Sequence, residues 1–375
     1  MTAPPFDRVV VDRPVRETRF AGQLLSRLPG SVPVELRGEG APRPRGRRTL
    51  FVTREPGAFL KPCPCSPGMV SCGYWVLSPV FQCPYACTYC FLRFYAPDEP
   101  LTVYANLEDA AREFHRALEG WAGPVRLGTG EFADSLALDP WTHHSLWLRE
   151  LVAARPRVLL ELKTKSTHVE LLLDRPALPN LVIAWSVNAV RWAAAEEAGA
   201  APLEARLEAA AEAARAGYRV AFHFDPVVLE QGWEEAYGDV VGRLFAAVPP
   251  ERVAWVSLGT LRFPPRFLER WGRALKGKRA FFREFVPGAD GKLRYFWPLR
   301  REAYRYLAAR LRREGGAGLP VYLCMEPRSM WAAALGRAPE EGEVAETLCA
   351  GMGAAGAPQG AGAAAAPGAG GAASS

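Results

Sequence analysis

From Tyr74 onward, short apolar runs alternate regularly with longer amphipathic stretches, and this alternation limits the possible folds more than any other feature. Short apolar runs bounded by turn residues predict strands, and apolar residues at helical spacing predict helices. The predicted strands are 75–81, 125–128, 158–163, 181–187, 219–225 and 253–258. The predicted helices are 106–119, 141–154, 203–216, 233–246, 264–275 and 300–313. Because strands that alternate with helices pair in parallel, the pattern predicts an α/β fold.

The six predicted strand–helix units are too few to close an eight-stranded TIM barrel. The sequence therefore predicts an open, partial TIM-like (β/α)6 barrel. In parallel α/β folds the reactive groups lie at the carboxyl ends of the strands, so candidate site residues are sought there.

Three cysteines directly follow the first predicted strand, in the segment Cys83-Pro-Tyr-Ala-Cys87-Thr-Tyr-Cys90. Thiolates in so short a loop can bind three irons of a 4Fe-4S cube and leave the fourth iron open for a small molecule. A structural zinc or a closed cluster needs four protein ligands, and no fourth cysteine or histidine is close in sequence. Zinc, or three buried apolar cysteines, remain alternatives. The spacing and the position after a strand favour the open 4Fe-4S cluster.

Polar residues follow the other predicted strands at the same edge. Glu131 follows two glycines after the second strand and could accept hydrogen bonds from an ammonium group. After the third strand, Lys163 or Lys165 could bind a carboxylate or phosphate. Ser186 and Asn188 follow the fourth strand and suit sugar hydroxyls. Each alone is also explained as a helix cap, but together behind the cysteines they favour a binding site.

The histidines contribute less to this prediction. Four of them fall on predicted helices or at helix starts and are predicted to be surface or capping residues: His115, His143, His144 and His168. His223 alternates with two phenylalanines in the fifth strand and faces either the barrel interior or an ordinary core.

Composition excludes several classes of protein. The 375 residues contain no apolar run long enough to span a bilayer, and the first residues lack the pattern of a signal peptide. Eight cysteines in such a chain indicate a reducing compartment, and we expect a cytoplasmic protein.

Composition also divides the chain into four regions. Residues 1–60 form a Pro/Arg-rich arm, either solvated or in contact with phosphates; residues 61–275 form the partial barrel. Residues 276–349 form a basic C-terminal extension, and residues 350–375, rich in Ala and Gly, form a disordered tail. Ahead of the first barrel strand lie Cys63, Cys65 and Cys72, which could bind a second metal, lend a ligand to an auxiliary cluster, or be small buried residues.

Residues 251–314 hold 17 Lys or Arg against six Asp or Glu, with aromatic residues between them. An Asp-Gly pair at 290–291 lies between two short β-like runs and predicts a hairpin. Such a basic aromatic hairpin suits DNA or another nucleic acid, and we expect Arg279, Arg283 and Arg294 to contact phosphates. A basic surface over an ordinary core is the alternative.

The chain from about Lys61 to Tyr322 resembles the spore photoproduct lyase family, radical S-adenosylmethionine (SAM) enzymes that reverse a thymine dimer in spore DNA. The resemblance rests on the cysteine triplet and on a series of shorter matches: Asp134, Lys165, Ser186-Val-Asn188, Ala216-Gly217-Tyr218, Gly232-Trp233-Glu234-Glu235, Arg262-Phe263 and the basic hairpin. It implies a 4Fe-4S cluster on Cys83, Cys87 and Cys90, and SAM bound near Lys165, Ser186 and Asn188. It also implies an electron donor such as flavodoxin or ferredoxin.

Two residues depart from the family pattern where the chemistry is expected. Glu131 occupies the position of the cysteine that donates a hydrogen atom in the lyase, and a carboxylate has no weak S–H bond. Tyr89 matches a tyrosine of the lyase relay and is the candidate catalytic residue, but Phe91 replaces the second tyrosine. Glu131 and its glycines resemble instead the glycine-glycine-glutamate motif that binds the SAM amino group.

The leading hypothesis is therefore a radical SAM enzyme that forms a 5′-deoxyadenosyl radical and acts on DNA damage or another nucleic-acid substrate. A peptide or small molecule is the alternative substrate. A metal-stabilised nucleic-acid-binding module without catalysis is the alternative from another class. Glu131 and Lys165 at strand ends favour an enzyme, since a binding module needs neither.

Overall fold

The computed structural model of this chain describes residues 3–271 and 284–351. The strands are β1 (Arg8–Asp12), β2 (Val34–Arg37), β3 (Thr49–Thr53), β4 (Leu60–Pro62), β5 (Tyr74–Leu77), β6 (Val80–Phe81), β7 (Leu101–Tyr104), β8 (Val125–Gly128), β9 (Val158–Thr164), β10 (Leu181–Ser186), β11 (Arg219–Val227), β12 (Val253–Thr260), β13 (Arg262–Phe263), β14 (Phe285–Pro287), β15 (Leu293–Tyr295) and β16 (Val321–Leu323).

The helices are α1 (Arg19–Ser26), α2 (Phe91–Tyr95), α3 (Leu107–Gly120), α4 (Asp139–Thr142), α5 (His144–Ala153), α6 (Glu170–Leu173), α7 (Val190–Glu196), α8 (Leu203–Arg215), α9 (Trp233–Ala247), α10 (Pro265–Trp271), α11 (Trp297–Gly315), α12 (Arg328–Leu335) and α13 (Glu343–Cys349). No helix within 3–271 and 284–351 is both long and apolar enough to cross a bilayer.

The main sheet has the strand order β16-β12-β11-β10-β9-β8-β5-β4. From β16 to β5 every pair is parallel, and β4 joins β5 antiparallel at one edge. Strands such as β10 and β12 are buried along their whole length, because helices cover a parallel sheet and leave its strands continuously apolar. The predicted α/β fold with a partial parallel barrel is confirmed, and β16 adds one parallel strand to the six predicted.

One predicted strand is wrong at its end. The run 75–81 divides into β5, which ends at Leu77, and β6, which begins at Val80. Pro79 lies at the break and has no N–H to donate to a ladder, so the chain leaves the main sheet there. β6 then pairs with β7 in a different sheet, and the cysteine triplet follows it.

The first 60 residues are not a solvated arm. β1, β2, β3, β7 and β6 form a second sheet, here called the N-terminal sheet, in the order β2-β1-β3-β7-β6. Val9 and Val11 of β1 are fully buried in one core with Val52 and Val103. The Pro- and Arg-rich stretch between β2 and β3 dominates the composition and conceals these short apolar strands.

The arginines of that stretch do not form a free phosphate-binding arm either. Arg43 Nε lies 3.1 Å from Glu99 Oε2, and Arg48 Nε donates to Asp7 Oδ2 at 2.6 Å. Arg47 donates to backbone carbonyls of the cysteine segment, as described below.

The predicted basic hairpin is confirmed, since β14 and β15 pair antiparallel and β13 pairs with β15 on its other side. Arg294 is not available to phosphates, however, because it is 2 % exposed and its guanidinium binds Asp290 within the turn (Nη2–Oδ2 2.8 Å). Its predicted contact with DNA is therefore wrong. Arg279 and Arg283 lie outside the described residues.

His144 is also misassigned as a surface residue. It is buried, and its ring stacks on Phe20 of α1 with 5.0 Å between centroids. Burial lowers the pKa of His144 to about 3, so the ring is neutral at the boundary between the two sheets.

Candidate active site

The segment 83–90, here called the cluster loop, is fixed at its start by backbone and side-chain contacts. Gln82 adopts a positive φ of 78°, its N–H donates to the Phe132 carbonyl at 2.9 Å, and its side-chain amide donates to the Ala96 carbonyl. Arg47 Nη2 then donates to the carbonyls of Cys83 at 2.8 Å and Tyr85 at 2.6 Å. These contacts tie the cluster loop to the chain just before β3.

The second half of the cluster loop packs on the last residue of α7 and the two residues after it. The Ala86 N–H donates to the Ala198 carbonyl at 2.8 Å, and the Thr88 N–H donates to the Glu196 carbonyl at 3.0 Å. The Thr88 hydroxyl donates to the Glu196 carboxylate, and the Tyr89 hydroxyl donates to that of Glu197. Neither glutamate stands out in the sequence, because both lie on an ordinary-looking helix end.

Glu197 is held in place by a buried ion pair. Arg206 Nη2 lies 2.5 Å from Glu197 Oε2, and both side chains are 1 % exposed. Arg206 also donates to the carbonyls of Ser186 at 2.8 Å and Ala201 at 2.7 Å. Burial acts to raise the pKa of Glu197, but Lys165 and Arg206 outweigh it and lower that pKa, so the carboxylate stays ionised.

The three thiols of the cluster loop lie within electrostatic range of one another. Burial, with the charge of Asp134 and of the other two thiols, raises the pKa of Cys83 well above its usual range. Burial raises the pKa of Cys87 to about 12, and Lys165 opposes that rise. Without metal the Cys83 and Cys87 thiols are therefore protonated, and metal binding to them releases protons.

The cluster loop offers three thiols, which suit three irons of a 4Fe-4S cluster, whereas a structural zinc site takes four protein ligands. In the described part of the chain no group of three or more His, Cys, Asp or Glu side chains is arranged to hold a single metal ion. Cys83, Cys87 and Cys90 would hold three irons.

Lys165 is the cation nearest to this loop among the predicted site residues. Its Nζ lies 5.9 Å from the centroid of the Tyr89 ring, and it acts electrostatically on Cys87. Its backbone N–H donates to Asp134 Oδ2 at 2.7 Å. The structure thus brings Lys165 and Tyr89 together beside Cys87, and Arg206 connects Glu197 to the backbone of Ser186.

Asp134 is a structural residue that joins the ends of β8 and β9. Its Oδ1 accepts from the Ala137 N–H at 2.9 Å and from the Thr164 hydroxyl at 2.6 Å, while Oδ2 accepts from the Lys165 N–H. Such local bonds from an Asp side chain fix a turn. Asp134 therefore positions Lys165.

Glu131, which follows β8, lies beside Lys163 of β9. Lys163 Nζ is 3.9 Å from Glu131 Oε2, and both side chains are about one quarter exposed. The two preceding glycines are required by packing: a Cβ on Gly128 would lie 1.9 Å from the Tyr74 hydroxyl, and a Cβ on Gly130 would lie 2.7 Å from Lys163 Cβ. Packing against Tyr74 and Lys163 therefore explains why both positions are glycine.

Asn188, which is predicted to lie near SAM, uses its side-chain amide for contacts inside the fold. It is 1 % exposed, and its Nδ2 donates to the Pro226 carbonyl at 3.0 Å. Its Oδ1 accepts from the Tyr237 hydroxyl at 2.5 Å and from the Ala189 N–H at 3.0 Å. The amide is used inside the fold, and it fixes the turn after β10.

A buried charge network, which the sequence analysis missed, occupies the interior of the half-barrel. Glu161 accepts from Arg126 Nη2 at 2.6 Å and contacts His223 Nε2 at 2.5 Å. Arg126 lies between three rings, with its Cζ 5.0 Å from the Tyr74 centroid and 5.1 Å from those of Trp255 and Tyr322. His223 therefore faces the barrel interior.

The charges of this network follow from its contacts. Burial acts to raise the pKa of Glu161, but Arg126 and His223 outweigh it and lower that pKa. Burial lowers the pKa of His223 despite the opposing effect of Glu161. An ionised Glu161 beside a neutral His223 is the consistent assignment.

A family model described as spore photoproduct lyase matches residues 74–266, just over half of the chain. The chain belongs to the spore photoproduct lyase family. Spore photoproduct lyase of Bacillus subtilis (strain 168) is 29% identical over 167 residues, which are 44% of this chain and 49% of that protein. The lyase of Geobacillus sp. (strain Y412MC61) is 29% identical over 160 residues, or 42% of this chain and 47% of that one. The matched region spans about half the length of these relatives.

Solved structures of spore photoproduct lyase share the fold of this chain. A mutant lyase with bound AdoMet and dinucleoside spore photoproduct has a TM-score of 0.71 at 20% identity, covering 85% of this chain and 99% of that one. A lyase complexed with dinucleoside spore photoproduct has a TM-score of 0.69 at 19% identity over the same shares. The curled parallel half-barrel is thus the family fold.

Proposed function

We propose that this chain is a radical SAM enzyme that acts on damaged DNA or a related nucleic-acid substrate. The observation that carries this proposal is the cluster loop, whose three cysteines lie within the region that matches the spore photoproduct lyase family. When bound, a 4Fe-4S cluster supplies the electron that cleaves SAM to methionine and a 5′-deoxyadenosyl radical. An electron donor such as flavodoxin or ferredoxin would reduce it.

Two charged residues are suited to bind the methionine end of SAM. Lys165, beside Cys87, would bind the carboxylate, because its ammonium is the cation closest to the cluster loop among the candidate residues. Glu131 would accept the SAM ammonium, since its present partner Lys163 is 3.9 Å away and outside hydrogen-bond distance. Ser186, the last residue of β10, would bind a ribose hydroxyl of SAM.

Tyr89 is the candidate catalytic residue, and its setting limits what it can do. Its hydroxyl donates to Glu197, and its ring stacks on Trp192 with 6.2 Å between centroids. An ionised acceptor holds the phenolic hydrogen on one side, and Phe91, the first residue of α2, offers no second hydroxyl. We infer that hydrogen return to the product, if it uses Tyr89, takes a route other than a tyrosine pair.

A substrate related to spore photoproduct is supported by solved structures of relatives, among them three that hold dinucleoside spore photoproduct. Because Arg294 is buried, phosphate contacts would fall to Arg279 and Arg283, which remain predictions outside the described residues. A peptide or small-molecule substrate is the competing proposal, favoured by Glu131 in place of the donor cysteine.

The decisive experiment is anaerobic reconstitution with iron and sulfide, followed by reduction in the presence of SAM. We expect 5′-deoxyadenosine and methionine, measured by mass spectrometry, with a Cys87→Ala variant as the negative control. Dinucleoside spore photoproduct and the undamaged dinucleotide are then compared as substrates. Tightly bound zinc without SAM cleavage would refute the radical enzyme. SAM cleavage that no nucleic acid stimulates would favour the peptide or small-molecule substrate.

A further inference from the structure

Four cysteines that the proposed function does not use lie together where the two edges of the main sheet approach each other. Cys63, Cys65 and Cys72 lie between β4 and β5, and Cys324 directly follows β16. β4 and β16 are the opposite edge strands of the main sheet. The fold, and not the sequence, brings Cys324 to the other three.

A direct backbone connection closes the two edges. Met69 and Pro327 form an isolated antiparallel bridge, and the Val70 N–H donates to the Glu326 carbonyl at 3.0 Å. Glu326 is itself buried and paired with Arg300. The loop 63–73 is therefore held against the segment after β16 by backbone hydrogen bonds.

The four thiols form one connected group, in which Cys63 and Cys72 each act electrostatically on the other three. The backbone around them is hydrogen-bonded: the Cys63 N–H donates to the Tyr74 carbonyl at 2.8 Å, and the Cys324 N–H donates to the Leu258 carbonyl at 2.8 Å. All four cysteine residues are partly exposed.

Cationic side chains surround this group and would stabilise thiolates. Arg262 Nη2 lies 3.7 Å from Cys324 Sγ, and the same guanidinium is held by Asp225 at 2.9 and 3.0 Å. Lys163 acts on Cys63, and Lys292 acts on Cys65. Oriented donors of this kind are typical of the residues that support metal-bound cysteine.

We propose that Cys63, Cys65, Cys72 and Cys324 bind a second iron–sulfur cluster, with one thiolate for each of four irons. Four protein ligands leave no open iron, so this cluster does not bind SAM. Zinc is disfavoured because only one residue separates Cys63 from Cys65, whereas structural zinc pairs are separated by two to four.

The test counts iron and sulfide in the full chain after anaerobic reconstitution. We expect about eight irons per chain in the wild type and about four in a Cys83→Ala/Cys87→Ala/Cys90→Ala variant, whose reduced EPR signal does not change with SAM. A Cys63→Ala/Cys65→Ala/Cys72→Ala variant, which leaves the second group with one thiol, is expected to retain about four irons and a SAM-sensitive signal. Cys349→Ala, which removes a buried cysteine outside both groups, is the matched control and keeps about eight.

Three outcomes would overturn the second cluster: about four irons in the wild type, no iron in the Cys83→Ala/Cys87→Ala/Cys90→Ala variant, or one zinc per chain with no loss of iron from the Cys63→Ala/Cys65→Ala/Cys72→Ala variant. Loss of the first cluster alone would contradict the proposed function and leave this proposal standing. Should a variant fail to fold, alkylation of the reconstituted wild type decides the question. We expect all four thiols to be protected until iron is chelated, and free alkylation before chelation refutes the site.

Discussion

The two groups of cysteines differ in how the chain assembles them. The cluster loop draws its three cysteines from eight consecutive residues and holds them with side chains from both flanks, Arg47 on one and Glu197 on the other. The second group draws three cysteines from one loop and the fourth from the far edge of the main sheet. A site whose residues are close in sequence can be predicted from the sequence. A site whose residues come from opposite edges of a sheet can be recognised only once the fold is known.

The largest expected effect separates the two groups by function. Replacement of Cys83, Cys87 or Cys90 by Ala should abolish SAM cleavage, because a cube with two protein ligands does not stay bound. Cys324→Ala should keep measurable cleavage, because its cysteine is not near the open iron. The 5′-deoxyadenosine formed per chain is the measurement. Equal loss in both variants would show that the two groups act as one site.

The next prediction concerns the ion pair that supports each group, Glu197–Arg206 for the cluster loop and Asp225–Arg262 for the second group. Glu197→Gln should lower the free energy of unfolding by about 3–5 kcal/mol, because Arg206 is left buried without its partner. Asp225→Asn should cost less, about 1.5–3 kcal/mol, since the Asp225 and Arg262 side chains are about one fifth exposed.

Urea unfolding of the protein without metal measures both variants. Glu204→Gln is the matched control, because Glu204 forms an exposed pair with Arg243 and should change stability by less than about 0.5 kcal/mol. A larger cost for Asp225→Asn than for Glu197→Gln would reverse the comparison.

Glu131 lies near the second group, since it is 3.9 Å from Lys163 and acts electrostatically on Cys63. A carboxylate that binds the SAM ammonium contributes about 1.5–3 kcal/mol, so Glu131→Gln should weaken SAM binding roughly ten- to a hundredfold. Calorimetry on the reconstituted protein measures this affinity, with the exposed Glu251→Gln as control. Unchanged affinity would remove Glu131 from the SAM site.

Glu131→Cys sharpens the same assignment. We expect it to lose SAM affinity and to gain no activity on spore photoproduct, because Phe91 still interrupts the tyrosine pair. If it instead keeps SAM binding and repairs the dimer, Glu131 is a replaced hydrogen donor and the substrate is that of the lyase.

The smallest expected effect tests the contact between Arg47, in the N-terminal region, and the cluster loop. Arg47→Met removes two charged hydrogen bonds from the cluster loop, which is worth about 1–2 kcal/mol for a partly exposed donor. Iron should then leave to a chelator about five- to thirtyfold faster. Arg45→Met, at an exposed neighbouring position, should leave that rate unchanged. Equal rates in the two variants would show that Arg47 does not hold the loop.

Sequence reasoning predicted the parts of this molecule that have local signatures. The six barrel strands follow from apolar runs of the right length, and the cluster loop follows from cysteine spacing. It failed for β1 to β3, because a long Pro- and Arg-rich stretch separates β2 from β3. Arg294 was misjudged because charge alone does not reveal that Asp290, four residues earlier, binds it in a buried turn.

The candidate site shows the same limit. Glu197 and Arg206 carry no motif, and their role appears only when α7 and α8 bring them under Tyr89. Asn188 matched a family position, yet Tyr237 and Pro226, far along the chain, take up its amide. Contacts between residues distant in sequence decide which polar groups remain free for a ligand.

The bridge between Met69 and Pro327 has a consequence for the order of synthesis on the ribosome. The cluster loop is complete once residue 90 has emerged, but the loop 63–73 has no counterpart until β16 is translated. Until β16 is translated, the edge of the main sheet at β12 stays unpaired and can pair with other chains. Protection of that edge by a chaperone matters most before the last strand arrives.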